Sequence, residues 1–93
     1  MPERLQLLRY EYVEDMAERR APHREGHLAL IDRYAADGRV VVAGAAGDPP
    51  STGLIAFREE ADANAFREED PYVEAGLVAS WTVEPWTVVT PLP

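Results

Sequence analysis

A chain of 93 residues makes one domain and buries a smaller share of its surface than a larger protein, so a core shared with a second copy is an economical expectation. Its 46% hydrophobic and 28% charged residues are those of a folding, soluble protein, and a net charge of -8 argues against a nucleic-acid partner, whose phosphates must be met by cations. Cysteine is absent and all nine basic residues other than histidine are arginines, which excludes disulfides, thiolate chemistry, Schiff bases and a phosphate-loop lysine.

From Leu5 to Val13 the residues alternate, with Leu8, Tyr10 and Tyr12 on one side and Leu7, Arg9 and Glu11 on the other, the pattern of a half-buried strand. Charges at Glu3, Arg4 and Arg9 break any long apolar run near the start, so neither a leader nor a membrane span is expected, and the cytoplasm is the default compartment. Asp15 to Arg20 reads as a helical turn. From Pro22 to Asp37 the spacing is helical, with Leu28, Ile31 and Ala35 as the apolar stripe, Leu30 and Tyr34 extending it, and Gly38 as the stop.

Arg39 to Ala46 opens on the β-branched run Val40-Val41-Val42 and predicts a second strand. Asp48-Pro49-Pro50-Ser51 is loop chemistry, and Gly53 to Phe57 completes a hairpin. Glu59 to Glu69 places Ala61, Ala65 and Phe66 at helical spacing and ends at the Asp70-Pro71 step, since a residue before proline is pushed out of the helical region. Leu77 to Val83 alternates again, Pro85 interrupts, and Trp86 to Thr90 is a final extended piece for an edge, with both tryptophans assigned to the core.

The order strand, helix, strand, strand, helix, strand is that of an α+β, ferredoxin-like split βαβ fold (βαββαβ plus a C-terminal extended piece) filling residues 1–93. Both helices then cover one sheet face. The other keeps large apolar groups, which predicts a homodimer packed sheet to sheet, of the dimeric α+β barrel type.

Arg20, Arg24, His27 and Ile31 follow one another at intervals of four, three and four, one face of a helix if it runs through Pro22. With Pro22 in a first turn, Arg24 and His27 still share that face and Arg20 approaches from the preceding segment. An imidazole paired with a carboxylate makes a proton-transfer site, because the acid fixes the ring tautomer and stabilises the imidazolium. Asp70 is the partner considered. Asp70 before Pro71, with Gly76 beyond, also reads as the cap of a short helix, and one carboxylate can accept from a backbone amide and an imidazole together.

His23 and His27 stand at a zinc-gripping interval, but Arg24, Glu25 and Gly26 between them place no acid where a metalloprotease needs one, and no metal is assigned. Ser51 and Ser80 lack a nucleophile elbow, and Gly44, Gly47 and Gly53 form no nucleotide fingerprint, so no cofactor is expected either. Tyr72 is an aromatic that could face a ligand.

Arg20-x-x-x-Arg24-x-x-His27-Leu28, Gly38-Arg39-Val40 with Ala43-Gly44, and Asp70-Pro71-Tyr72-Val73-x-Ala75-Gly76-Leu77, in that order and spacing, resemble the YciI-like (YCII-related) family, as does the closing Trp81 to Trp86 stretch. The resemblance implies a dimeric ferredoxin-like fold whose pocket holds a His and Asp pair, here His27 and Asp70. Small enzymes, some lyase-like, have been proposed in the family, and other members occur beside regulatory domains. The expectation is a cofactor-independent lyase-type or isomerase-type enzyme, with His27 as general acid or base, Asp70 orienting it, and Arg20, Arg24 and Tyr72 holding an anionic or phenolic substrate. The rival is a dimeric ligand-binding or accessory module using the same pocket.

Overall fold

Alternation in the first strand becomes register in the sheet. In the computed structural model, which describes residues 3–92, Tyr10 stands opposite Gly53 on one side and Trp81 on the other, so the residues that share its face meet the helices. The elements run β1 (Glu3–Tyr12), α1 (Met16–Arg19), α2 (Ala21–Ala36), β2 (Val40–Ala46), β3 (Thr52–Phe57), α3 (Glu60–Glu69), α4 (Pro71–Glu74) and β4 (Val78–Val88). The strand order is β2-β3-β1-β4 with every neighbouring pair antiparallel, which is the ferredoxin-like α+β arrangement.

The core lies between the sheet and α2 and α3. Leu8, Tyr10, Val40, Ile55 and Phe57 meet Leu30, Tyr34, Ala63 and Phe66, all buried. Tyr34 and Phe57 both turn toward the Phe66 ring, with centroids at 5.3 and 5.5 Å, and each fully buried large apolar side chain contributes about 1.5–3 kcal/mol of transfer free energy. On the opposite sheet face a smaller cluster forms from Leu5, Ala56 and Val88, with Val41 and Leu92 against it.

Four sequence expectations are corrected. The buried stripe of α2 is His27, Leu30 and Tyr34, while Leu28 and Ala35 are exposed; Leu28 lines a cavity, and the half-buried Ile31 lines the same cavity while packing against the edge of the core. In α3 the buried residues are Ala63 and Phe66, and Ala61 faces outward. Pro85 does not interrupt β4, which runs unbroken to Val88; β4 pairs with β1 alone, and an edge strand tolerates a missing donor on its open side. Neither tryptophan is in the core: Trp81 is 42% and Trp86 40% exposed, both on that edge strand, with the Arg67 guanidinium 3.9 Å above the Trp81 ring.

Candidate functional site

Asp70 leaves the helical region at φ -69° and ψ 120°, between α3 and α4, where the step into Pro71 requires it. Its Oδ1 accepts from the Tyr72 amide at 3.0 Å, so it caps α4, with Pro71 in the first turn and Gly76 just past the end at φ +75°. The same carboxylate does more. Its Oδ1 lies 2.8 Å from His27 Nδ1, and its Oδ2 accepts from the Tyr10 hydroxyl at 2.8 Å. Capping and ring orientation coexist in one side chain, which is only 1% exposed.

His27 reaches Asp70 because α2 lays its second turn over α4. At the start of α2 the backbone stays helical through Arg20 (φ -73°, ψ -23°), with Pro22 in the first turn, so Arg20, Arg24 and His27 keep the spacing that brings them to one side. The imidazole is buried, stacked on the Tyr72 ring at 3.7 Å and 8°, with the Phe66 ring edge-on at 6.3 Å. An ionised carboxylate only accepts, so Nδ1 carries the hydrogen and Nε2 is the free lone pair.

A cavity of about 220 Å³ opens beside this ring, lined by Tyr12, Met16, Arg20, Arg24, His27 and Tyr72 and floored by Ala43, Gly44 and Ala45 of β2. All five residues singled out in the sequence therefore converge: four line the cavity and Asp70 stands behind His27. Tyr10 and Tyr12 were not singled out, although alternation had put both on the helix side of β1. Tyr12 sits where it does because Gly53 has no side chain; a Cβ there would lie 2.3 Å from the Tyr12 hydroxyl.

Electrostatics keep the phenols protonated. Burial, followed by Tyr72 and the Asp70 charge, pushes Tyr12 up to about 12, with Arg20 pulling the other way. Burial also raises Tyr72, against Arg20 and Arg24, and raises Tyr10 far above the ordinary tyrosine range, reinforced by Asp70. The cavity thus presents hydroxyl donors and two guanidinium groups to a ligand, which favours an oxyanion or a carboxylate. Among the described residues no three His, Cys, Asp or Glu side chains converge as a metal site would require, and no helix is long and apolar enough to cross a membrane.

Residues 5–87 match the YCII-related domain. Protein YciI of Escherichia coli O6:H1 is 33% identical, over 84% of this chain and 94% of that one. Among solved structures, the 5-chloro-2-hydroxyhydroquinone dehydrochlorinase of Burkholderia phenoliruptrix, solved with 2,5-dihydroxybenzoquinone, superposes with a TM-score of 0.72 at 26% identity, over 88% of this chain and 92% of that one. A protein of unknown function from Nitrosomonas europaea shares the fold at 22% identity and a TM-score of 0.56, over 100% of this chain and 96% of that one. With the match spanning nearly its whole length, this chain belongs to the YCII-related family.

Proposed function

We propose that the protein is a cofactor-independent lyase or isomerase acting on a small anionic or phenolic molecule, with His27 as the proton-transfer group. The observation that carries this reading is the buried His27–Asp70 pair at 2.8 Å beside a cavity that also holds Arg20 and Arg24. Nε2 takes a proton from the substrate, and the released electron pair either expels a leaving group from another carbon or receives the proton back at a new position. Asp70 holds the ring and stabilises the imidazolium, and proton transfer by a well-placed acid or base is worth about 10²–10⁴ in rate. Arg20 and Arg24 steady the negative charge that develops, and Tyr72 stacks behind the imidazole.

Likeness to a dehydrochlorinase favours elimination from a hydroxylated ring. Chloride release from 5-chloro-2-hydroxyhydroquinone and related chlorophenols is the direct test. The expected result is turnover by the native protein and its loss in His27→Ala; ligands that bind and are returned unchanged would instead mark a non-catalytic binding module.

We further propose that the protein acts as a homodimer joined through the outer sheet face, where Leu7, Val42, Leu54 and Trp86 border a shallow hollow of about 440 Å³. Val42 is 42% and Trp86 40% exposed there, an apolar surface that a second copy would cover. Sedimentation should give twice the chain mass for the native protein and a monomer for Trp86→Asp; a monomeric native protein would rule the interface out.

A further inference from the structure

The Asp70 carboxylate has two oxygens to anchor, and the cap and the imidazole both use Oδ1. At 1% exposure Oδ2 has no route to bulk water, and its bond comes from the Tyr10 hydroxyl, 60 residues earlier in the chain on the central strand β1. Tyr10 is itself completely buried in the aromatic core, where a phenylalanine would pack equally well, so the hydroxyl is the feature that packing leaves unexplained. A carboxylate held at one oxygen is free to turn about its Cβ–Cγ bond; held at both, its plane is set and Oδ1 stays aimed at His27.

We propose that Tyr10 is a positioning residue, the third member of a Tyr10–Asp70–His27 chain that fixes the carboxylate and tempers its pull on the imidazole. The inference rests on the proton-transfer reading of the site and deepens it. By donating to Oδ2, Tyr10 draws negative charge away from the His27 side, so the site holds an imidazolium less tightly than a two-membered pair would. A phenol whose ionisation is so strongly opposed by its surroundings is confined to this donor role. Other charged and titratable groups around the chain are Tyr12 from β1, Arg67 from α3, Tyr72 from α4, and Arg20 and Arg24 at the start of α2. None of them is altered by Tyr10→Phe.

The test needs no substrate. In Tyr10→Phe the NMR titration of the His27 ring should move to higher pH, the opposite direction from Asp70→Asn, because the acid then concentrates its charge on the ring. A midpoint unchanged from the native protein would show that the hydroxyl is only structural and overturn the proposal. Should the variant not fold, the native protein decides: a slowly exchanging Tyr10 hydroxyl proton with cross-peaks to Asp70 supports the chain, and a hydroxyl in fast exchange overturns it. Chloride release by native protein and His27→Ala reports separately on the enzymatic reading, so failure of one does not imitate failure of the other.

Discussion

Replacing Asp70 by Asn removes a charge while leaving the geometry almost intact, and it separates the two duties of that side chain. The asparagine carbonyl, placed where Oδ1 stands, still accepts from the Tyr72 amide and from His27 Nδ1, and its NH₂ turns to the Tyr10 oxygen, which can accept. Asn caps a helix about as well as Asp, so the cap itself costs only a few tenths of a kcal/mol, roughly, and the main loss is charge assistance in two buried bonds, about 1 kcal/mol each. Asp70→Ala strips the acceptor from three donors at once, each then carrying a desolvation cost of about 1–3 kcal/mol, so it should destabilise by several kcal/mol more than Asp70→Asn. The charge itself is read at the ring. Losing an anion 2.8 Å from Nδ1 removes the charge that favours the imidazolium, so the His27 ring should titrate at lower pH than in the native protein. The assay is a ring-proton NMR titration with His23, the only other histidine, as an internal control that should not move. An Asp70→Asn protein that folds normally with an unshifted His27 midpoint would refute the pairing.

Gly53→Ala should force the Tyr12 ring off its seat, since the new Cβ would lie 2.9 Å from the ring carbon bearing the hydroxyl; a loss of about 1–3 kcal/mol in urea unfolding and a weakened response to phenolic ligands are expected, and an unchanged Tyr12 NMR environment would contradict this. Phe66→Ala empties the centre of the aromatic core and withdraws the edge contact from His27, so it should cost about 3–5 kcal/mol by the same measurement, and a cost below about 1 kcal/mol would contradict the packing described. Stability should also fall in alkali. Tyr10 and Tyr12 keep their protons in the folded state above the ordinary tyrosine value of 10.0, where the unfolded chain releases them, so their contribution is complete below that pH. It is lost as pH rises through about 12 for Tyr12 and later for Tyr10, with a slope of up to about 1.4 kcal/mol per pH unit for each phenol. Urea unfolding at stepped alkaline pH, followed with tyrosinate absorbance, checks it; full ionisation of the tyrosines near pH 10 while the protein is still folded would contradict it.

What was legible in the chain was what local chemistry controls. Alternation in β1 sorted Leu8 and Tyr10 from Leu7 and Arg9 correctly, because a period of two is a property of the strand itself. Asp70, Pro71 and Gly76 announced a capped helical turn for the same reason, each being suited to one backbone position. Periodicity could not say which of two apolar stripes on α2 would meet the core. His27, Leu30 and Tyr34 do, whereas Leu28 borders an open cavity, which has the same residue preferences but no packed partner, and Ile31 stands between cavity and core. Side-chain bulk misled for Trp81 and Trp86, since burial depends on a strand's place in the sheet, and β4 lies at its edge.

The site itself mixes the two kinds of information. Residue types proposed His27 and Asp70, but their contact spans 43 positions and Tyr10 to Asp70 spans 60, distances over which no local rule acts. Three separate elements meet on one carboxylate: the central strand through Tyr10, the long helix through His27 and the short helix through its own first turn. Because the cap ties that carboxylate to the backbone of α4, a shift in how α4 docks would misplace the acid relative to the imidazole before any site residue changed. Substitutions at Leu77 or Met16, which pack against Tyr72 beneath the short helix, should therefore disturb the His27 titration as well as stability, whereas equally destabilising changes in the Leu5, Ala56 and Val88 cluster on the far face should leave the titration alone. Equal effects from the two clusters would mean that general loosening, and not the seating of α4, controls the pair.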